Sequence, residues 1–123
     1  MNLKMLLTAM SVIATLVGVA AITRPAQLLK SKGANLTPAT VIWMRQVGVL
    51  ILAQGITSFL LRDQAISPAV RAFLFGAAFT QLGLLPIEIV AYRRGELSKL
   101  SGIVPNSVLH IALGCALLYR ALF

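Results

Sequence analysis

The sequence predicts an all-α integral membrane protein, a single domain (residues 1–123) folded as an antiparallel four-helix bundle with up-down order. Hydrophobic residues make up 59% of the chain and charged residues only 11%. Such a chain cannot cover a water-soluble surface, whereas a bilayer solvates apolar helices directly. Four long apolar stretches fill most of the sequence, and each has roughly the 20 residues that a helix needs to span a membrane.

The first two predicted helices occupy residues 3–22 and 38–61. Proline at position 25 ends the first helix, because the residue before a proline disfavours the helical conformation. This amino-terminal stretch also resembles a signal peptide, but we interpret it as the first membrane helix. After a polar connector, Thr37-Pro38 starts the second helix, with threonine as the N-cap and proline at the first helical position.

The third and fourth predicted helices occupy residues 68–92 and 105–122. Ser67-Pro68 repeats the start signal of the second helix and follows a short charged connector. Pro105 is expected to open the fourth helix, since proline suits the first helical position. The four helices leave only short connectors, so no room remains for a soluble module.

Composition excludes several classes of site. A single cysteine, Cys115, rules out an internal disulfide and any CxxC motif, and we expect it to be a small packing residue. One histidine and three carboxylates do not readily make a structural metal site. The chain has neither a GxSxG nucleophile motif nor a phosphate-binding glycine loop. No catalytic residue, metal ligand or cofactor is therefore assigned, and a non-enzymatic role is favoured.

The net charge of +8 is distributed unevenly. Basic residues cluster at the ends of the apolar stretches, so we expect anionic lipid headgroups, and no nucleic acid, as partners. Four basic residues lie near the termini and the second connector. Seven lie near the first and third connectors, which predicts that these connectors are cytoplasmic and that both termini lie outside a bacterial inner membrane. The seven are Arg24, Lys30, Lys32, Arg45, Arg93, Arg94 and Lys99.

Three ionisable residues fall inside predicted helices, where charge is costly and marks a pairing or a function. At the usual helical rise, Arg45, Glu88 and His110 lie ~10, ~6 and ~8 Å from helix ends on the same face. An antiparallel bundle is therefore expected to bring them together beneath the cytoplasmic headgroups. Two interpretations stay open: an Arg45–Glu88 ion pair with His110 bonded nearby, or a site that handles protons or anions.

Two glutamines, Gln54 and Gln81, lie deeper in the second and third helices. Amides in lipid usually form hydrogen bonds across helices, and a polar path from Gln54 through Gln81 to Glu88 is the alternative. Small residues such as Gly48 and Gly55 mark a face that allows close helix approach. That face fits either a four-helix bundle or a homo-oligomer.

Several short motifs occur in residues 38–123. Arg45-Gln46-Val47-Gly48 opens the second helix, Gln54-Gly55 follows within it, a short connector begins at Arg62, and His110 lies in the last helix. In this order they resemble the small four-helix DoxX-like bacterial membrane proteins. The resemblance implies a four-helix membrane bundle and little about activity, although some relatives are associated with quinone or thiol redox systems.

Three functional hypotheses follow from these features. The first is an accessory or scaffold subunit that acts through helix–helix contacts, as a homo-oligomer or within a larger membrane complex. The second is a small transporter or channel built by oligomerisation, with the ionisable residues on its path. The third is a lipid- or quinone-binding membrane protein that uses the same residues to hold a polar headgroup.

Overall fold

The computed structural model describes residues 2–123, which form five helices joined by short connectors. The helices are α1 (Leu3–Thr23), α2 (Pro25–Ser31), α3 (Pro38–Leu61), α4 (Pro68–Arg93) and α5 (Leu100–Leu122). All except α2 are long and apolar enough to cross a membrane. The predicted fold class, an all-helical bundle with four membrane-span-like helices, is confirmed.

The two strongest start signals in the sequence are used as expected. The Thr37 hydroxyl accepts a hydrogen bond from the Thr40 backbone N–H at 3.1 Å, and the Thr40 hydroxyl accepts one from the Thr37 N–H at 2.9 Å. This reciprocal capping box satisfies donors that the first turn of α3 would leave free. At the start of α4, the Ser67 hydroxyl accepts from the Val70 N–H at 3.3 Å.

Two helix boundaries differ from the predicted ones. Pro25 follows the end of α1 but also opens α2 inside the predicted polar connector, because proline suits a first helical position. The last helix begins at Leu100, so Pro105 lies inside α5 and does not open it. Gly102, in the first turn of α5, lies directly against the backbone carbonyl of Ser31 at the end of α2. A side chain there would not fit, so glycine allows this early turn to pack.

The long helices pack as two pairs, α1 with α3 and α4 with α5. Glycines on α1 and α3 face each other across the first pair. A Cβ added at Gly48 would lie 2.9 Å from the Ala21 Cβ, and one at Gly18 would lie 2.9 Å from the Leu52 backbone nitrogen. The small-residue face of α3 predicted from the sequence is therefore filled by α1.

The two pairs meet at the end of the bundle that carries both termini. Fully or almost fully buried apolar side chains from α1, α4 and α5 form one cluster there. Its largest members are Leu6, Leu7, Met10, Leu74 and Leu117. This half of the bundle interior is thus filled mainly by apolar side chains.

Polar contacts at the same end join the chain termini to the second connector. Lys4 Nζ lies 2.8 Å from Asp63 Oδ1, and its hydrogen bond lowers the pKa of the Asp63 carboxyl. The Arg71 guanidinium donates to the Ala121 carbonyl at 2.7 Å. The amino terminus, the second connector and the carboxyl terminus therefore share one face, as an up-down order requires.

The outer surface is apolar on all four long helices. Within α3 only Gly48, Gly55 and Ser58 are buried, so almost the whole helix faces outward. Hydroxyls on this surface donate to carbonyls of their own helix, for example Thr57 to Ala53 and Thr80 to Gly76, both at 2.9 Å. Because these hydroxyls are satisfied within their own helix, this largely apolar surface suits contact with lipid.

Candidate functional site

Glu88 is the most extensively bonded side chain inside the bundle. It lies on α4, is only 8% exposed and forms an ion pair with Lys32 through its Oε1. Asn106 Nδ2 donates to the same oxygen at 2.9 Å, and the Ser107 hydroxyl donates to Oε2 at 3.1 Å. Both carboxylate oxygens therefore have partners, as a charge buried in an apolar environment requires.

Lys32 reaches Glu88 because the first and third connectors are tied together. Its carbonyl accepts hydrogen bonds from the backbone N–H groups of Ser98 and Lys99, both at 3.1 Å. The Ser98 hydroxyl donates to the Gly33 carbonyl at 3.2 Å. Gly33 has a φ of +72°, a left-handed conformation that favours glycine, and it turns the chain just after Lys32.

A second polar pair lies deeper between α4 and α5. His110 Nδ1 and Gln81 Oε1 are hydrogen-bonded, which joins the two helices about two turns below Glu88 on α4. Gly114 permits close approach at this level, since a Cβ there would lie 2.6 Å from the Leu82 side chain and 3.3 Å from the Gln81 Cβ. We call the full set the α4–α5 polar cluster; its members are Lys32, Gln81, Glu88, Asn106, Ser107 and His110.

The structure brings together only part of the predicted site. Glu88, His110 and Gln81 belong to the α4–α5 polar cluster. However, His110 bonds Gln81 and lies deeper than Glu88, because α5 begins at Leu100 and not at Pro105. Arg45 is exposed on α3, and among residues 2–123 Glu88 forms its salt bridge with Lys32 whereas Arg45 forms none. The predicted Arg45–Glu88 ion pair is therefore wrong. The ion pair does not form because α3 packs on α1, away from the interface of α4 and α5.

Gln54 also lies outside the cluster. It is half-buried on α3, and no hydrogen bond within the described chain joins its side chain to Gln81. The predicted polar path from Gln54 through Gln81 to Glu88 is not formed. The prediction that an amide bonds across helices holds for Gln81, which contacts His110.

Sequence reasoning missed three members of the cluster: Lys32, Asn106 and Ser107. Asn106 and Ser107 precede His110 by four and three residues, so they share its helix face. That spacing of polar residues in an apolar helix was a usable signal. The sequence around Lys32 gave no such signal, because the position of this side chain depends on how two connectors fold against each other.

The chemistry of the α4–α5 polar cluster is that of a cross-link between helices. The Glu88 carboxylate bonds the Lys32 amine and the Asn106 amide, and the Gln81 amide separately bonds the His110 imidazole. Together the two sets fix α4, α5 and the first connector in one arrangement. Within residues 2–123, no group of three or more His, Cys, Asp or Glu side chains is placed to hold a metal ion. Cys115, expected to be a packing residue, is exposed, and its neighbour Gly114 makes the close contact instead.

Comparison of the chain with protein-family models, curated proteins and solved structures finds no match. The resemblance to DoxX-like proteins therefore stays a prediction.

Proposed function

We propose that this chain is a non-enzymatic, multi-pass membrane protein that serves as an accessory or scaffold subunit through helix–helix contacts within the bilayer. One observation carries the proposal: α4 has a small-residue face that the rest of the described chain leaves uncovered. A Cβ added at Gly76 or Gly83 would meet no atom within 4 Å. By contrast, added Cβ atoms at Gly18, Gly48 and Gly55 would all meet neighbouring atoms.

The uncovered face consists of Ala72, Gly76, Thr80 and Gly83, which we call the α4 small-residue face. Their spacing of four, four and three residues keeps them on one side of the helix. Small residues let two membrane helices approach closely, where packing rather than hydrophobicity drives association. Beside them Phe79 is 79% exposed and offers a large apolar side chain to a partner helix.

The interior of the bundle supports the same proposal. Groups of the α4–α5 polar cluster are hydrogen-bonded in two sets. The Glu88 set lies beside the first and third connectors, and the Gln81–His110 pair lies near the middle of α4 and α5. The half of the bundle opposite the first and third connectors is filled by Leu6, Leu7, Met10, Leu74 and Leu117. This apolar packing favours an assembly role over a polar transport path through a single copy.

Substitution of Gly76 tests the proposal directly. In a mild detergent, we expect the wild-type protein to migrate with a partner or with further copies of itself on native gels. Gly76→Leu is expected to shift it to the free monomer, because the leucine fills the space that a partner helix needs. Ala53→Leu is the matched control, since Ala53 is an exposed small residue on α3.

Circular dichroism shows whether each variant keeps its helical content. A wild-type protein that migrates only as free monomer, or a Gly76→Leu variant that assembles like wild type, would contradict the proposal. Chemical cross-linking at Thr80→Cys, in a Cys115→Ser background, then identifies what covers the face. A homodimer and an adduct with another protein are both assembly outcomes.

We further propose that the protein lies in a bacterial inner membrane with the first and third connectors in the cytoplasm. The excess of basic residues near these connectors supports this orientation. In a Cys115→Ser background, a membrane-impermeant maleimide is expected to label Gln64→Cys in intact cells. Glu96→Cys is expected to be labelled only after the cells are opened, and the reverse pattern would invert the proposed orientation.

A further inference from the structure

A groove runs along the outer surface between α4 and α5, on the half of the bundle that carries the connectors. Its volume is about 340 Å³, within the range of small-molecule sites. The walls include Ile89, Val104, Val108 and Ile111, all of them exposed apolar side chains. We call it the α4–α5 groove; it has the hydrocarbon lining that an acyl chain requires.

One end of the groove lies next to the third connector. Tyr92 and Arg93, at the end of α4, line this end, which we call the mouth. Since α4 ends at Arg93 and α5 starts at Leu100, the mouth lies where the helices leave the hydrocarbon. A ligand that fits must therefore be polar at the membrane surface and apolar below it.

The charge around the mouth is positive. Residues 93–99 contain Arg93, Arg94 and Lys99 against a single acid, Glu96. Glu88 and Ser107 also line the groove, but the Glu88 carboxylate is already paired with Lys32 and accepts the Ser107 hydroxyl. Among the residues that line the groove, the uncompensated charge that a ligand would meet is thus that of Arg93.

From these features we infer that the α4–α5 groove is a binding site for an anionic phospholipid. Arg93 and the Tyr92 hydroxyl donate hydrogen bonds to the phosphate region, and one acyl chain lies along Ile89, Val104 and Val108. A zwitterionic headgroup adds a cation that the basic connector repels, so the site selects a net negative headgroup. This site is separate from the α4 small-residue face and does not depend on it.

Native mass spectrometry of the detergent-purified protein tests the inference, with phosphatidylglycerol and phosphatidylcholine as probes. Wild type is expected to retain phosphatidylglycerol in preference to phosphatidylcholine. Arg93→Gln should weaken phosphatidylglycerol binding about fivefold, which corresponds to about 1 kcal/mol for one basic residue near the headgroup. Val104→Trp, which blocks the groove, should weaken retention of the lipid by at least as much.

Matched controls separate a specific site from the general lipid shell. Arg24→Gln removes a basic residue of the first connector, and Val12→Trp places the same bulk on α1, where Val12 is as exposed as Val104. Both should bind phosphatidylglycerol like wild type, and Arg93→Lys should restore part of the binding lost in Arg93→Gln. If Val104→Trp does not fold, Val108→Trp is used in its place, since Val108 lines the same groove.

Three results would overturn the inference. The first is equal retention of the two phospholipids by wild type. The second is an equal loss of binding in the groove variants and in their controls. The third is cross-linking of Val104→Cys to another protein with no phosphatidylglycerol retained, since a partner helix would then occupy the groove.

Discussion

Replacing Lys32 with methionine is expected to destabilise the protein by about 3 kcal/mol. The change removes the only cation paired with Glu88 among the described residues and leaves a nearly buried carboxylate without its counter-charge. Loss of one partner of a buried ion pair typically costs about 3–5 kcal/mol. The lower end applies, because the Lys32 side chain is 26% exposed. Denaturant titration in detergent micelles, followed by circular dichroism, measures the loss.

A double-mutant cycle separates the ion pair from the other roles of each side chain. Glu88→Gln alone removes the charge and leaves Lys32 unpaired. The double variant Lys32→Met with Glu88→Gln has no unpaired charge, so we expect it to be more stable than Lys32→Met alone. A coupling energy of about 1–3 kcal/mol is expected for groups in direct contact.

Arg45→Met is the control, because it tests the partner that the sequence predicted. Arg45 is exposed on α3, so its removal is expected to change the free energy of unfolding by less than about 0.5 kcal/mol. Equal destabilisation by Arg45→Met and Lys32→Met, or strictly additive effects of Lys32→Met and Glu88→Gln, would contradict the pairing described above.

The parts of the fold that were predictable depend on local or bulk properties of the chain. Hydropathy alone defines the four spans, because lipid selects for length and apolar character. Thr37 and Ser67 start their helices as expected, since each cap needs only a side-chain oxygen and a proline next to it. The prediction that Pro105 opens the last helix was wrong, because membrane helices tolerate an interior proline when neighbouring groups satisfy the freed carbonyl.

The depth of Glu88 was predictable, but the depth of His110 and the direction in which Arg45 points were not. Distance from a helix end placed Glu88 close to its actual depth. His110, by contrast, lies 10 residues, or ~15 Å, from the start of α5 at Leu100, which is deeper than expected from Pro105. The same arithmetic included Arg45, because it does not say which neighbour a helix packs against. Gly48 and Gly55 hold α3 on α1, and Lys32 reaches Glu88 only because two connectors are bonded to each other. Such long-range pairings have no signature within one stretch of sequence.

Replacing Gly48 with leucine is expected to prevent normal packing of α1 on α3, at a cost of about 3 kcal/mol or more. Even a Cβ at Gly48 would lie 2.9 Å from the Ala21 Cβ and the Ile22 Cγ1, and 3.0 Å from the Gly18 carbonyl. These neighbours belong to the backbone or lie next to it, so they cannot move aside at low cost. Overpacking of a close interface typically costs about 1–3 kcal/mol even for smaller insertions. Denaturant titration in micelles measures the effect.

Gly76→Leu is the informative comparison, because it makes the same chemical change on a helix surface where nothing lies within 4 Å. The denaturant concentration at which Gly76→Leu is half unfolded is expected to equal that of wild type, while its assembly is lost. Gly48→Leu is expected instead to lower the free energy of unfolding. A Gly48→Leu variant as stable as wild type would contradict the α1–α3 contact. A Gly76→Leu variant that unfolds early would mean that its face belongs to the fold. Comparison of the two substitutions therefore distinguishes the helix packing within one copy of the protein from the packing that would join that copy to a partner.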